Sequence, residues 1–131
     1  ITGSVKKSAL NVLLVDDDPV NREVASAMLM HCGAEVTKAC NGLEALAQIE
    51  KSPRFNIVFM DCQMPIMDGY EAARKIREAE GDKKHVTIIA MTANAMDGDA
   101  QKCFDAGMDD YMEKPINYEL VFEKIEKYGR R

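Results

Sequence analysis

Three short apolar segments constrain the fold of this 131-residue chain more than any other feature. They are NVLLV at 11–15, NIVFM at 56–60 and VTIIAM at 86–91. Each is too short for a helix and is apolar at successive rather than alternate positions, which predicts strands buried on both faces of a parallel sheet. Two more polar segments, AEVTKA at 34–39 and DDYME at 109–113, suit the edges of that sheet.

Signals for the beginning and end of helices separate these strands. Asp18 before Pro19 predicts a capped helix with proline in its first position, and Asn41 and Asp68 each precede a glutamate by three residues, as in a capping box. Glycines able to adopt the left-handed conformation of a helix end follow three helical patterns, at Gly33, Gly81 and Gly107. The predicted helices cover residues 19–31, 42–50, 69–79, 96–106 and 117–128.

Apolar spacing predicts one buried stripe in each helix. In the first helix the stripe consists of Val20, Val24, Ala27 and Met28, and in the fourth of Met96, Ala100, Cys103 and Phe104. Right-handed crossovers then put helices on both faces of the sheet, so the predicted fold class is α/β, a three-layer sandwich that forms a single domain over residues 9–128. We expect residues 1–8 to be a linker or an expression scar and residues 129–131 to be a C-terminal tail.

Composition argues against several classes of function. With 22 acidic and 17 basic side chains the net charge is −5, which disfavours binding to nucleic acid or to an anionic membrane. Four cysteines without the spacing of a zinc site predict reduced thiols and a cytoplasmic location. No apolar stretch approaches the roughly 20 residues that span a bilayer, so we expect no membrane segment in this chain.

Polar side chains follow four of the predicted strands at their carboxyl ends, where the functional crevice of an open parallel sheet lies. Asp16 and Asp17 follow the first strand, Asp61 the third, Thr92 the fourth and Lys114 the fifth. Each of these residues alone fits an ordinary role as a loop acid, a strand end or a solvated charge. Their shared position at one edge of the sheet predicts a site.

Asp61 carries the strongest signal, because it follows an apolar run and is expected to be partly desolvated. Two more carboxylates within about 5 Å would add roughly 3 kcal/mol of repulsion per pair at an effective dielectric constant of about 20. A bound cation offsets that repulsion. A site of carboxylate oxygens without cysteine or histidine suits Mg²⁺ or Mn²⁺ rather than Zn²⁺.

Lys114 and Thr92 add a positive charge and a hydroxyl donor, the groups that hold phosphoryl oxygens. The motifs G-x-x-x-x-G-K-[ST] and G-x-G-x-x-G are absent from the sequence, which argues against a P-loop NTPase and a dinucleotide-binding dehydrogenase. Because these strand-end residues include no cysteine or serine nucleophile, Asp61 itself can attack phosphorus and form an aspartyl phosphate.

The residues around these positions resemble the receiver domain of two-component response regulators. The resemblance covers about residues 10–128 and rests on LLVDDD, VFMDCQMPIMDGYEA, IIAMTANA and AGMDDYMEKPI, which occur in the family's order. It implies a flavodoxin-like (βα)5 fold with strands in the order 2-1-3-4-5. The sequences of these motifs look most like those of receivers fused to hybrid sensor histidine kinases, so we expect a parent protein of that type.

The resemblance implies a phosphoacceptor and a metal site. Asp61 would be the phosphoacceptor. Asp17, Asp61 and the backbone carbonyl of Gln63 would ligate Mg²⁺, and Asp16 would act through a metal-bound water. Gln63 and Asn94 would occupy the two variable positions that influence the lifetime of the phosphoryl group.

The resemblance also implies a conformational switch. Lys114 would pair with the phosphoryl group, Thr92 would move to bond a phosphoryl oxygen, and Tyr111 would turn inward once Thr92 had moved. The peptide between Lys114 and Pro115 is expected to be cis. New charge at Asp61 would shift the population between two pre-existing arrangements.

The expected function is phosphotransfer to Asp61 from a phosphohistidine on a histidine kinase or a histidine phosphotransfer domain, docked on the first helix. The chain would be a monomer or a weak dimer that catalyses its own phosphorylation and dephosphorylation without being a turnover enzyme. One alternative is a Mg²⁺-dependent phosphatase with an aspartyl nucleophile, but such enzymes usually carry a second aspartate where this chain has Gln63. Another is a degenerate receiver that only binds proteins, which does not suit a chain that keeps all the key side chains.

Overall fold

The computed structural model describes residues 10–52, 54–82 and 85–129, in which five strands alternate with five helices. The strands are β1 (Leu10–Val15), β2 (Ala34–Ala39), β3 (Ile57–Asp61), β4 (Thr87–Thr92) and β5 (Asp110–Glu113). The helices are α1 (Pro19–His31), α2 (Gly42–Lys51), α3 (Gly69–Glu80), α4 (Asp99–Asp105) and α5 (Tyr118–Gly129), and a 3₁₀ turn at Ala95–Asp97 precedes α4. The predicted linker at 1–8 and residues 130–131 lie outside the described residues.

All five strands are parallel and lie in the order β2-β1-β3-β4-β5, which confirms the predicted fold class and strand order. Every residue of the central strand β3 is buried, whereas the edge strands β2 and β5 are the more polar ones. Because the strands are parallel, the carboxyl ends of β1, β3, β4 and β5 meet at one edge of the sheet.

Two hydrophobic cores form, one on each face of the sheet, because successive residues of a strand point to opposite faces. Leu13 and Val58 lie in the core shared with α2, α3 and α4. Leu14 and Phe59, the next pair along the same two strands, lie in the core shared with α1 and α5. All four side chains are essentially inaccessible to solvent, and burying each contributes about 1.5–3 kcal/mol to folding.

Three helices begin at the predicted cap residues. Asp18, Asn41 and Asp68 each accept a backbone N–H of the first helical turn through Oδ1 at 2.9 Å. Glu44 reaches back from α2 and accepts at 2.8 Å the N–H of Cys40, the residue before the cap, so both Asn41 and Glu44 hold the start of α2. These bonds fix the start of α1 directly after the acid pair that follows β1.

The buried stripe predicted for α1 is wrong in its position. Val20 and Val24 are 68% and 49% exposed, and Ala25 and Leu29 face the sheet instead. Met28 is partly buried against the same core, as predicted. Apolar residues occupy much of the circumference of α1, and a step of one residue turns a side chain by about 100°, so spacing alone left the buried face ambiguous. Ala27 of the predicted stripe is exposed as well, and Val20 and Val24 form an apolar surface open to solvent.

The fourth helix differs from the predicted range of 96–106. Gly98 has a left-handed φ of 90° and interrupts the helix between the 3₁₀ turn and α4. Met96 and Phe104, predicted to be buried, are 88% and 44% exposed, whereas Cys103 is buried as predicted. A glycine within a helical pattern does not by itself reveal a break, which is why apolar spacing missed it.

None of the helices in the described part of the chain has the length and apolar character needed to cross a membrane.

Candidate functional site

Three carboxylates meet at the carboxyl ends of the two central strands. Asp16 and Asp17 directly follow β1, and Asp61 is the last residue of β3, which pairs with β1. One oxygen atom from each side chain lies within 4.8 Å of the other two. Asp16 and Asp61 are 2% and 4% exposed, whereas Asp17 faces solvent. The acids therefore converge, as their common position at strand ends predicts.

The backbone around these acids is held from several directions. Gly69 begins α3 so close to β3 that a Cβ atom there would overlap the carbonyl oxygen of Asp61. Asp16 Oδ1 accepts the N–H of Asp18 at 2.9 Å, and Arg22 Nη1 donates to the Asp16 carbonyl at 2.7 Å. Sequence analysis did not predict the role of Arg22, because a basic residue in the first turns of a helix is not a signal for one.

Lys114 supplies the positive charge of the site. It follows β5, where its N–H donates to the carbonyl of Thr92 at 2.8 Å, and its peptide bond to Pro115 is cis, as predicted. Its Nζ atom lies 3.1 Å from Asp61 Oδ1 and 3.9 Å from Asp16 Oδ2. One ammonium group thus interacts with two buried carboxylates.

Burial dominates the ionisation of Asp61. Desolvation raises its pKa to about 6 although Lys114 acts in the opposite direction, and the negative charge of Asp16 adds to the increase. Burial also acts to lower the pKa of Lys114, but attraction to Asp61 outweighs it and the pKa of Lys114 is raised. The single ammonium group therefore leaves the acid cluster short of positive charge, and a further cation would favour ionised Asp61.

The set of available donor atoms suits Mg²⁺. The three carboxylates offer hard oxygen ligands, and two of them, Asp17 and Asp61, border an open cleft of about 220 Å³. Asp17, Asp61, Gln63, Thr92 and Lys114 all line this cleft. Mg²⁺ keeps several water ligands in protein sites, and the cleft has room for them. Gln63 lies directly beside the acids, since its N–H donates to Asp61 Oδ1 at 3.4 Å.

Thr92 is engaged by a partner outside the acid cluster. It is 1% exposed, and its Oγ1 donates to Asp99 Oδ2 at 3.0 Å and accepts the N–H of Asn94 at 3.3 Å. Tyr111 packs its ring edge-on against Phe104 of α4, with the ring centroids 6.1 Å apart. Sequence analysis did not predict the contact of Asp99, because no motif links a residue in a helix start to a strand end seven positions earlier.

All of these site residues lie within a segment that matches a known protein family. The model of the response regulator receiver domain matches residues 12–126, a range that contains every site residue described above. The chain belongs to the response regulator receiver domain family. The resemblance predicted from sequence is therefore confirmed, and this receiver domain belongs to two-component signalling.

Among curated proteins, the receiver domain is similar to segments of hybrid histidine kinases. Hybrid signal transduction histidine kinase L of Dictyostelium discoideum is 47% identical over 125 residues, which are 91% of this chain and 7% of that protein. The chain therefore spans less than a tenth of the length of this relative.

Solved structures share the fold of this receiver domain. The receiver domain of sensor histidine kinase PA1611 from Pseudomonas aeruginosa, solved with a magnesium ion coordinated in the active-site cleft, is 40% identical with a TM-score of 0.83, covering 92% of this chain and 97% of that one. The co-crystal of the Saccharomyces cerevisiae phosphotransfer protein Ypd1 with the Ssk1 receiver domain matches at 32% identity and a TM-score of 0.85, covering 93% and 90%. These likenesses confirm the flavodoxin-like fold.

The receiver domain brings together most of the residues predicted from sequence. Those in the acid and lysine cluster are Asp16, Asp17, Asp61 and Lys114. Gln63 and Thr92 line the same cleft, but among the described residues Asn94 and Tyr111 are not part of that lining. Five of these residues, Asp17, Asp61, Gln63, Thr92 and Lys114, therefore line the cleft itself.

Proposed function

We propose that this receiver domain accepts a phosphoryl group from a phosphohistidine onto Asp61 in a Mg²⁺-dependent reaction. The observation that carries the proposal is the position of Asp61, a buried carboxylate at the mouth of an open cleft, with Lys114 Nζ 3.1 Å away and two more acids within ligand distance. Family membership supports the assignment, and the magnesium ion in the cleft of the PA1611 receiver supports the choice of metal.

In the proposed reaction an oxygen of ionised Asp61 forms a bond to phosphorus while the bond between phosphorus and the donor's imidazole nitrogen breaks. The electron pair of the broken bond stays on that nitrogen, and the donor leaves as histidine. Lys114 stabilises the negative charge of the phosphoryl oxygens, because its ammonium group already lies beside Asp61. Hydrolysis of the aspartyl phosphate then restores the starting state.

The proposed metal ligands are Asp17, Asp61 and the backbone carbonyl of Gln63, with Asp16 acting through a water molecule. Bound Mg²⁺ would supply positive charge to a cluster that Lys114 alone leaves too negative, and Mn²⁺, which prefers the same oxygen ligands, is proposed to replace it. Gln63 and Asn94 are proposed to set the lifetime of the phosphoryl group, since Gln63 adjoins Asp61 and Asn94 donates its N–H to Thr92.

The proposed switch starts at Thr92, which lines the cleft and would donate its hydroxyl to a phosphoryl oxygen. Tyr111 would then turn inward. Its half-buried ring contacts Phe104 of α4, so a movement of α4 would change the surroundings of Tyr111. The signal would thus pass from the cleft to the face formed by α4 and β5.

We infer that α1 binds the phosphodonor. Val20 and Val24 expose apolar side chains on its first turns, and Tyr118 and Phe122 of α5 expose 37% and 42% of their surface. Tyr118 packs edge-on against His31 of α1, so the two helices present neighbouring apolar side chains. Because α1 begins directly after the acid pair, a partner bound there would bring its phosphohistidine to the cleft. The complex of the Ssk1 receiver with Ypd1 supports a histidine phosphotransfer domain, or a histidine kinase, as this donor.

We further propose that the chain acts as a monomer or a weak dimer in the cytoplasm, as part of a hybrid sensor histidine kinase. Similarity to hybrid kinase L supports the parentage, and the scattered positions of the four cysteines, which lack the spacing of a zinc site, support a reducing compartment. The net charge of −5 argues against nucleic acid as a partner.

Labelling by acetyl phosphate, a small phosphodonor, tests the proposed function. The wild-type receiver should take up phosphoryl label in Mg²⁺ and none in EDTA, and Asp61→Asn should abolish labelling. Asp105→Asn is the matched control, because Asp105 is an exposed acid of α4 that contacts Gln101 rather than the cleft. Undiminished labelling of Asp61→Asn would contradict the proposal, and steady hydrolysis of a phosphate monoester would favour a phosphatase.

A further inference from the structure

The hydrogen bond between Thr92 and Asp99 links the cleft to the start of α4. Thr92 ends β4 and is 1% exposed, and Asp99 is the half-buried first residue of α4. The distance of 3.0 Å from Thr92 Oγ1 to Asp99 Oδ2 lies at the long end of the range for a hydrogen bond from a hydroxyl. Such bonds to charged acceptors are stronger than those between neutral groups.

A hydroxyl group has a single proton to donate. While Thr92 donates to Asp99 it cannot donate to a second acceptor, and its oxygen already accepts the N–H of Asn94. If Thr92 is to donate to a phosphoryl oxygen on Asp61, it must first give up Asp99. The carboxylate of Asp99 and the phosphoryl group are therefore competitors for one proton.

Asp99 belongs to a helix that begins directly after a break in the backbone. Gly98, with its φ of 90°, separates Asp99 from the 3₁₀ turn. Phe104, farther along the same helix, contacts Tyr111. α4 thus touches both Thr92 and Tyr111, and the bond from Thr92 is the polar one of these two contacts.

We propose that Asp99 is a positioning residue that holds the Thr92 hydroxyl in the unphosphorylated arrangement and so sets how readily Asp61 is occupied by a phosphoryl group. The inference rests on the proposed function, since it specifies the competitor that the phosphoryl group displaces. Removing the Asp99 carboxylate destabilises the resting arrangement selectively and shifts the population towards the arrangement that binds a phosphoryl group.

Titration calorimetry in Mg²⁺ can measure the affinity for beryllofluoride, a mimic of the phosphoryl group. This affinity reports the population of the binding arrangement, because it rises with the fraction of molecules that adopt it. Asp99→Ala should bind about tenfold more tightly than wild type, near the lower end of what a hydrogen bond to a charged group contributes. Asp99→Asn should fall between the two, because its amide oxygen can still accept from Thr92 but carries no charge. Asp105→Ala, which removes an exposed acid from the same helix, should bind like wild type.

A double-variant cycle separates positioning from a purely structural effect. In a Thr92→Val background the hydroxyl is absent, so Asp99→Ala should produce no further change in affinity. An unchanged or weaker affinity of Asp99→Ala, or the same gain in the Thr92→Val background, would overturn the proposal. Thermal unfolding monitors the fold, and the near-isosteric Asp99→Asn carries the test if Asp99→Ala does not fold. If wild type itself neither binds beryllofluoride nor is labelled by acetyl phosphate, the proposed function fails first.

Discussion

Asp61 is an unfavourable residue in the metal-free protein. Burial raises its pKa from 3.8 to about 6, so between roughly pH 4 and pH 6 the folded chain holds a proton that the unfolded chain has lost. The free energy of unfolding therefore falls as the pH rises through this window. Above it, the ionised carboxylate lowers stability by an amount on the order of 3 kcal/mol.

Asp61→Asn should accordingly stabilise the receiver domain in EDTA at pH 7, by about 3 kcal/mol. Lys114 loses its partner in this variant, but its side chain is 27% exposed and can be solvated, so the loss is small. At pH 4, where Asp61 is largely neutral in the folded state, the gain should nearly vanish. Urea unfolding at the two pH values measures the difference, with Asp105→Asn as the exposed control. A gain of equal size at both pH values would show that burial of the charge is not its cause.

Individual residue roles were the hardest feature to predict from sequence. The strand-end rule identified Asp16, Asp61 and Lys114, because chain direction alone carries them to one edge of the sheet. It could not identify Arg22 or Asp99, whose partners are set by the rotation of α1 and by the break at the start of α4. Side-chain contacts between elements depend on such rotations, which local sequence does not determine.

At the scale of elements, the buried face of α1 differs from the predicted one, and the difference identifies an exposed apolar surface. Apolar spacing predicted that Val20 and Val24 face the core, but Ala25 and Leu29 do so. The apolar side chains that remain exposed are then free to contact a partner. The strands and the capped helix starts were predictable because they depend on local sequence. The rotation of α1 about its axis depends instead on packing, since the small side chain of Ala25 faces the sheet.

Val24→Asp should separate docking from chemistry. Since Val24 is 49% exposed, the substitution should change the free energy of unfolding by no more than about 0.5 kcal/mol. It should leave labelling by acetyl phosphate unchanged and slow transfer from a phosphorylated histidine phosphotransfer domain at least about tenfold, because a charge opposes burial of the surface. Leu29→Ala, on the buried face, is the contrasting control and should lose about 2–5 kcal/mol of stability.

Equal slowing of acetyl phosphate labelling and of protein-dependent transfer in Val24→Asp would contradict the assignment of α1. Rates of both reactions, measured on the same preparation, provide the comparison.

For the whole molecule, the parallel sheet explains how residues as far apart in sequence as Asp16 and Lys114 form one site. The topology also brings three carboxylates, Asp16, Asp17 and Asp61, to one edge of the sheet, where Lys114 supplies a single positive charge. Binding of Mg²⁺ should therefore be linked to global stability. A parallel sheet with helices on both faces was predictable from the apolar runs and the handedness of crossovers, whereas the strand order was expected from the resemblance to receiver domains.

Mg²⁺ at about ten times its dissociation constant should stabilise the receiver domain by about 1.4 kcal/mol relative to EDTA. The stabilisation should be visible as a higher midpoint of thermal unfolding and should be much reduced in Asp61→Asn, which lacks one carboxylate ligand. An equal shift of the midpoint in that variant would place the ion elsewhere.

Chemical trapping of the phosphorylated residue tests the central claim most directly. The wild-type receiver domain is incubated with acetyl phosphate and Mg²⁺ and then reduced with sodium borohydride, which converts an aspartyl phosphate to homoserine, and peptide mass spectrometry locates the change. The account predicts homoserine at position 61 and none when EDTA replaces Mg²⁺. Conversion at another aspartate, with Asp61 intact, would contradict it.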